Sequence, residues 1–380
     1  MDADLKKRRK ALMNASQELP GHGFPDAVAE LTRVAQWCQD NRIEQDVYGA
    51  GEFIESFEKK LAKLFGLEAA RFMPSGTMAQ GIAMRIACGA QGHFGMHPSC
   101  HLELHEQRSY SQLFGLRATL VGPFDSAMLA EHLNAVTEPL HALLMELPTR
   151  ENGGRLPSWD QLVELCSNAR ERGMHLHLDG ARVWQAQAAY GKSYAQIAAL
   201  FDSVYVSFYK DIGALAGAML MGSEAFIDQS RTWQRRMGGN LFSLLPNVAS
   251  AASRLDEKLG RFSEYRRHTL ELAAALSPIE GVTLLPDPPQ TSMLHLVLDL
   301  GPEEAQIARD RVAKETGLWL FGGVRGIAES GRCRLELTVG EATLKIAPQD
   351  AAAAFQSLLT ERTTGTRPCD ESNGTDSIPS

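Results

Sequence analysis

Apolar and polar positions alternate in two rhythms along this chain. Short apolar runs bounded by glycine or polar turns read as strands packed on both faces: Arg71–Met73, Arg117–Val121, Ala142–Leu147, Met174–Leu178, Ser203–Phe208 and Leu215–Met221. Between them lie stretches with helical spacing. The clearest is Glu52–Phe65, where Phe53, Ile54, Phe57, Leu61, Leu64 and Phe65 form one apolar stripe and Gly66 follows the last turn. Met78–Cys88, Ser126–Ala135, Trp159–Arg172 and Trp184–Leu200 read as further helices. Strands that alternate with helices predict an α/β fold with a mostly parallel sheet and right-handed crossovers.

Beyond Gly222 the rhythm changes. Helices are expected at Ser223–Arg236, across Leu245–Leu276 as one or two, at Pro302–Glu315 and at Pro348–Glu361. Strands are expected at Val282–Leu285, Met293–Leu300 and Arg332–Val339. This describes a smaller C-terminal α+β domain. The reading is an N-terminal arm over 1–45, a large α/β domain over 46–250, a small domain over 251–362 and a disordered tail over 363–380.

Composition narrows the function classes. A net charge of −8 argues against non-specific binding to nucleic acid. The six cysteines form no CxxC pair, which points to reduced thiols in a cytoplasmic enzyme rather than a disulfide frame or zinc site. No apolar run reaches the roughly 18 residues a membrane span needs, and MDADLKKRRK lacks the apolar stretch of a secretory signal.

Candidate chemistry sits at the strand ends. Asp179 follows one apolar run at once, and Lys210 follows the next after Tyr209. In parallel sheets the carboxyl ends of the strands line the ligand crevice. A lysine desolvated by Phe208, Tyr209 and Ile212 favours its neutral amine, which suits Schiff-base chemistry. A buried aspartate can keep a pyridine nitrogen protonated. The plainer alternative makes Asp179 a helix cap and Lys210 a solvated loop residue. Ser75-Gly76-Thr77 at a helix start offers backbone N–H groups and hydroxyls to a phosphate, or is an ordinary cap. His93, His97, His101 and His105 recur every four residues, but Gly92, Gly95 and Pro98 interrupt any helix that would align them for a metal. One imidazole from this loop could instead stack on a flat cofactor and move protons. The glycines of Asn152-Gly153-Gly154 mark a loop that could contact a ring substituent. His175, His177 and Asp179 share one strand face, which keeps a metallohydrolase open as an alternative. Arg334 interrupts an apolar strand, so it either snorkels to an edge or receives a carboxylate.

The order SGT (75–77), HLELHE (101–106), HLDGAR (177–182), SFYKDIGALAGAMLMG (207–222) and RRMGG (235–239) resembles the threonine aldolase/β-eliminating lyase family; DVYGAGEFIESFEKKLAKLFGLEAARFMPSGT (46–77) is similar to its opening. The resemblance covers roughly residues 46–340 and implies a pyridoxal 5'-phosphate enzyme of the aspartate-aminotransferase fold type. It implies that Lys210 carries the cofactor, Asp179 holds the pyridine nitrogen and His101 stacks on the ring. Ser75, Gly76, Thr77 and Ser207 would hold the phosphate. Arg182 and Arg334 would grip the substrate carboxylate, and His101 or His105 would act as base. The implied reaction opens the Cα–Cβ bond of a β-hydroxy-α-amino acid to give glycine and an aldehyde. Sibling reactions (β-elimination, transamination) are the alternatives, and a non-catalytic scaffold on the same fold is a further one. The family implies a homodimer or homotetramer. Two departures stand out: the family's N-terminal Ser-Asp-Thr is absent, and Phe242 occupies the place of a phosphate-facing arginine, for which Arg235 or Arg236 could compensate.

Overall fold

The computed structural model describes residues 3–23 and 26–360; the tail expected at 363–380 lies outside the described residues. The main sheet contains β1 (Ala69–Met73), β2 (His93–Met96), β3 (Arg117–Leu120), β4 (Ala142–Glu146), β5 (His175–Gly180), β6 (Ser203–Ser207) and β7 (Ala218–Gly222). Their spatial order is β1-β7-β6-β5-β4-β2-β3. Strands β3, β2, β4, β5 and β6 run parallel, while β7 is antiparallel to both of its neighbours. Every residue of β4, β6 and β7 is buried, as a sheet covered on both faces requires.

The helix Glu52–Phe65 turns Ile54, Phe57, Leu61 and Phe65 into the core, and Gly66 ends it at φ 65°. Burying each of these side chains contributes about 1.5–3 kcal/mol. Several details differ from the sequence reading, and three bear on the main sheet. Strand β2 was hidden in HFGM, where a histidine and a glycine dilute a run of four residues. The helix expected over Trp184–Leu200 breaks at Gly191 into Val183–Tyr190 and Tyr194–Ala198, because Ser193 and Gln196 form a new capping box. Only Ala130–Asn134 of the Ser126–Ala135 stretch is helical.

A second sheet holds β8 (Val282–Leu285), β9 (Met293–Leu298), β10 (Arg325–Ile327) and β11 (Arg332–Thr338), in the order β10-β11-β9-β8, all antiparallel. Along β11, Cys333, Leu335 and Leu337 are buried while Arg334 and Glu336 occupy the half-buried positions between them. Near the N-terminus Gln17–Glu18 pairs in parallel with Leu318–Trp319 as a separate two-stranded sheet, tying the arm to the C-terminal part of the chain. One apolar cluster runs from Ile54 and Trp184 through to Leu296 and Phe355, so the two sheets share a core. Among the described residues no helix is long and apolar enough to cross a membrane.

Candidate active site

Strands β4, β5 and β6 deliver their carboxyl ends side by side. Strand β4 ends in Glu146, β5 carries Asp179, and β6 leads through Ser207 to Phe208, Tyr209 and Lys210. Phe208 is fully buried, stacked on Phe72 with centroids 5.9 Å apart and tilted against Phe57 at 5.5 Å. The Trp184 indole N–H donates to the Ser207 carbonyl at 3.2 Å. Gly217 sits at φ 105°, and a Cβ there would come within 2.1 Å of the Phe72 ring. The turn bearing Lys210 is therefore mounted on a packed aromatic base.

The charges around Lys210 form one basin. Burial lowers the lysine's pKa and the nearby Arg182 adds to this, while Asp179, Glu146 and Asp211 oppose it. Burial thus acts on Lys210 in the direction of the neutral amine. Asp179 is buried, receives the Ala181 N–H at 3.0 Å, and its pKa is raised by burial against the pull of Lys210. This is no exposed helix cap, and Lys210 is no freely solvated loop residue. Glu146 stands opposite Asp179 on the next strand; burial and the charge of Asp179 push its pKa up to about 7. It accepts the backbone N–H of His101 at 3.3 Å and of Arg150 at 3.0 Å, joining two site loops.

A cup for an anion lies at the start of the helix Gly76–Cys88. Ser75 caps it by accepting the Met78 N–H. A Cβ on Gly76 would lie 2.1 Å from the Tyr205 hydroxyl and 3.1 Å from that of Tyr209, so only glycine fits. Ser207 Oγ is buried without a hydrogen-bond partner, an arrangement that costs about 1–3 kcal/mol unless a ligand supplies one. These features fit a phosphate group. Arg236 lies over the face of Trp233, as does Arg85. Phe242 is 63% exposed and packs edge-on against Tyr48.

Each imidazole of the 101–106 turn has its own carboxylate. His101 Nδ1 bonds Glu106 at 3.1 Å, and the charge of His101 is felt at Asp179. His105 Nε2 bonds Glu151 at 2.8 Å, and the two rings are 5.0 Å apart. Arg182 lies 3.9 Å from Glu336, and Arg334 lies 3.9 Å from Glu151. Arg334 thus meets a carboxylate at longer than hydrogen-bond distance. A cavity of about 690 Å³ opens beside them, lined among others by Arg150, Glu151, His295, Arg325, Arg334 and Glu336.

The metal-ligand reading of His175 and His177 is overturned by their partners. His177 spends both nitrogens, on Ser203 Oγ at 2.8 Å and Gln80 Oε1 at 2.7 Å, and burial lowers its pKa to about 3. His175 also bonds Ser203 Oγ and stacks on Phe226. Among the described residues no group of three or more His, Cys, Asp or Glu side chains could hold a metal.

The sequence reading did not single out Glu146, Glu151, Glu106 or Tyr205. Glu146 closes a buried strand just as Asp179 does, so the same rule would have found it. Glu151 gave no such signal, since loop glutamates are common and its partners from outside its own turn come from three separate segments.

A parallel sheet with one reversed strand, and an amine and an acid at the carboxyl ends of neighbouring strands, defines a class: the pyridoxal-phosphate enzymes of the aspartate-aminotransferase fold type. Within it, the chain belongs to the β-eliminating lyase family, whose model matches residues 27–299, and it is a pyridoxal-phosphate-dependent lyase. The chain is similar to a candidate L-allo-threonine aldolase of Listeria monocytogenes, with 37% identity, a TM-score of 0.87, and 93% of this chain and 99% of that one covered. It is 26% identical to low-specificity L-threonine aldolase 1 of Arabidopsis thaliana over 74% of this chain and 82% of that protein. A threonine aldolase of Leishmania major shares the fold at 17% identity, with a TM-score of 0.71 and coverage of 90% and 98%.

Proposed function

We infer that this enzyme cleaves the Cα–Cβ bond of a β-hydroxy-α-amino acid to glycine and an aldehyde. The observation that carries the reading is that Lys210 and Asp179 act on each other, with Arg182 near the lysine and reaching toward Glu336 on the wall of an arginine-rich cavity. The names of the relatives from Listeria and Arabidopsis support it.

When bound, pyridoxal phosphate supplies an electron sink for charge that develops at Cα. Lys210 offers the amine that attaches the cofactor, and Asp179 holds its ring nitrogen. Ser75, Gly76, Thr77 and Ser207 hold the phosphate, with the Tyr205 and Tyr209 hydroxyls beside Gly76. His101, steadied by Glu106, would stack on the ring. Among the described residues the ion-pair partners of Arg182 and Arg334 lie at 3.9 Å, so a substrate carboxylate can bind them more closely. An imidazole of the 101–106 turn takes the hydroxyl proton.

The same reading extends to assembly and compartment. The chain works in the cytoplasm as a homodimer or homotetramer. Exposed Tyr48 and Phe242 pack together on one surface, and the described cysteines are free. The test is covalent attachment: borohydride should fix the cofactor to the wild type and fail with Lys210→Ala. Attachment that survives this substitution would contradict the reading.

A further inference from the structure

The sequence leaves two histidines open as base, and the geometry separates them. His101 belongs to the ring side: its backbone N–H is held by Glu146, and its charge acts on Asp179. His105 stands one imidazole further out, 5.0 Å from His101, and bonds Glu151, which lines the cavity. A carboxylate only accepts hydrogen bonds, so the neutral His105 ring carries its hydrogen on Nε2 and keeps a lone pair on Nδ1.

We propose that Glu151 and His105 form a dyad acting on the substrate's β-hydroxyl, with His105 as the catalytic base and Glu151 as its positioning residue. This rests on the aldol reading above. Glu151 is suited to the task because it is fixed from several sides. It lies in the turn Arg150–Asn152, anchored to β4 by the Arg150 N–H on Glu146 at 3.0 Å. Gly153 and Gly154 follow at φ 71° and 78°, pressed so closely on the second sheet that a Cβ would meet the Leu285 carbonyl at 2.1 Å and Thr291 Oγ1 at 2.4 Å. The second oxygen of Glu151 takes Arg325 at 2.9 Å and faces Arg334 at 3.9 Å. One carboxylate therefore links the base to an arginine assigned to the substrate carboxylate, fixing the distance between the two ends that the substrate presents.

Two other titratable groups on the cavity wall are less suited to the task. Glu336 accepts from Arg150 at 2.8 Å. His295 faces Arg334, Glu336, Glu151 and Arg150, and burial lowers its pKa to about 4. The titratable groups against His105 are His101 on its own turn and Glu151 on the loop after β4; behind them stand Glu106 on His101, and Arg150, Arg325 and Arg334 on Glu151.

In the cleavage the β-oxygen gives its proton to His105 Nδ1 and its O–H pair becomes the C=O bond. The Cα–Cβ bond breaks, with its electron pair left at Cα, and a proton delivered to Cα completes glycine. The base therefore serves cleavage of the hydroxylated substrate, whereas exchange of glycine's own α-proton does not need it.

The test uses the holoenzyme and two reactions. In His105→Phe, cleavage of a β-hydroxy amino acid should fall about 10²–10⁴-fold while glycine α-proton exchange in D₂O and bound-cofactor absorbance stay within a few-fold of wild type. In Glu151→Gln, kcat should fall with KM little changed, and the acid limb of kcat should move to lower pH; Glu151→Asp should restore part of the rate. Retained cleavage in His105→Phe would overturn the dyad, as would exchange and cleavage falling together. A wild type that exchanges glycine but cleaves nothing would instead remove the aldol reading on which the dyad rests.

Discussion

Glu146 and Asp179 face each other in register on adjacent parallel strands, both buried, and the hydrogen bonds they receive come from backbone N–H groups. Strands in a sheet are about 4.8 Å apart, so two ionised carboxylates here repel strongly. Burial first, and then the charge of Asp179, push the Glu146 pKa from 4.5 up to about 7. An acid whose folded pKa is raised gives stability below its unfolded pKa, and that stability is lost as pH rises through the folded value. The apo wild type should therefore lose stability relative to Glu146→Gln between about pH 4.5 and 7. Melting temperatures of both proteins across that range check it; a constant difference would contradict it.

Ser207→Ala should act with opposite signs on the two forms. Its Oγ is buried and unpartnered, so removing it leaves the apo melting temperature unchanged or higher. Cofactor affinity should fall about five-fold, the equivalent of about 1 kcal/mol. Absorbance titration of apoenzyme with pyridoxal phosphate measures the second effect.

Phe208→Ala removes the ring on which Phe57, Phe72 and Trp184 converge. It should cost about 3–5 kcal/mol in urea unfolding of the apo protein. Cofactor attachment should weaken as well, because Lys210 lies two residues away.

Arg334→Ala should raise KM for an amino-acid substrate while leaving cofactor affinity unchanged. A charged hydrogen bond contributes about 1.5–3 kcal/mol, which corresponds to a rise of about 10–150-fold. Steady-state kinetics beside a cofactor titration separate the two effects.

Much of this was legible in the chain itself. The apolar runs ending at Asp179 and before Lys210 became neighbouring parallel strands, because buried strands announce themselves by unbroken hydrophobicity. Arg334 was conspicuous as a cation among apolar residues, and it does face a carboxylate. Strand β2 was not legible, since four residues containing His93 and Gly95 carry too little pattern. His175 and His177 suggested a metal, because strand alternation shows which side chains share a face but not that Gln80 and Ser203 occupy their nitrogens. Glu151 depended on contacts with Arg325 and His105, which only the folded chain brings together.

The most direct test is to supply holoenzyme with a panel of β-hydroxy amino acids that includes L-threonine and L-allo-threonine, and to quantify products. Glycine and the matching aldehyde in equal amounts, lost in Lys210→Ala, are the expected result. Ammonia with a 2-oxo acid, or amino-group transfer with the carbon skeleton intact, would contradict it.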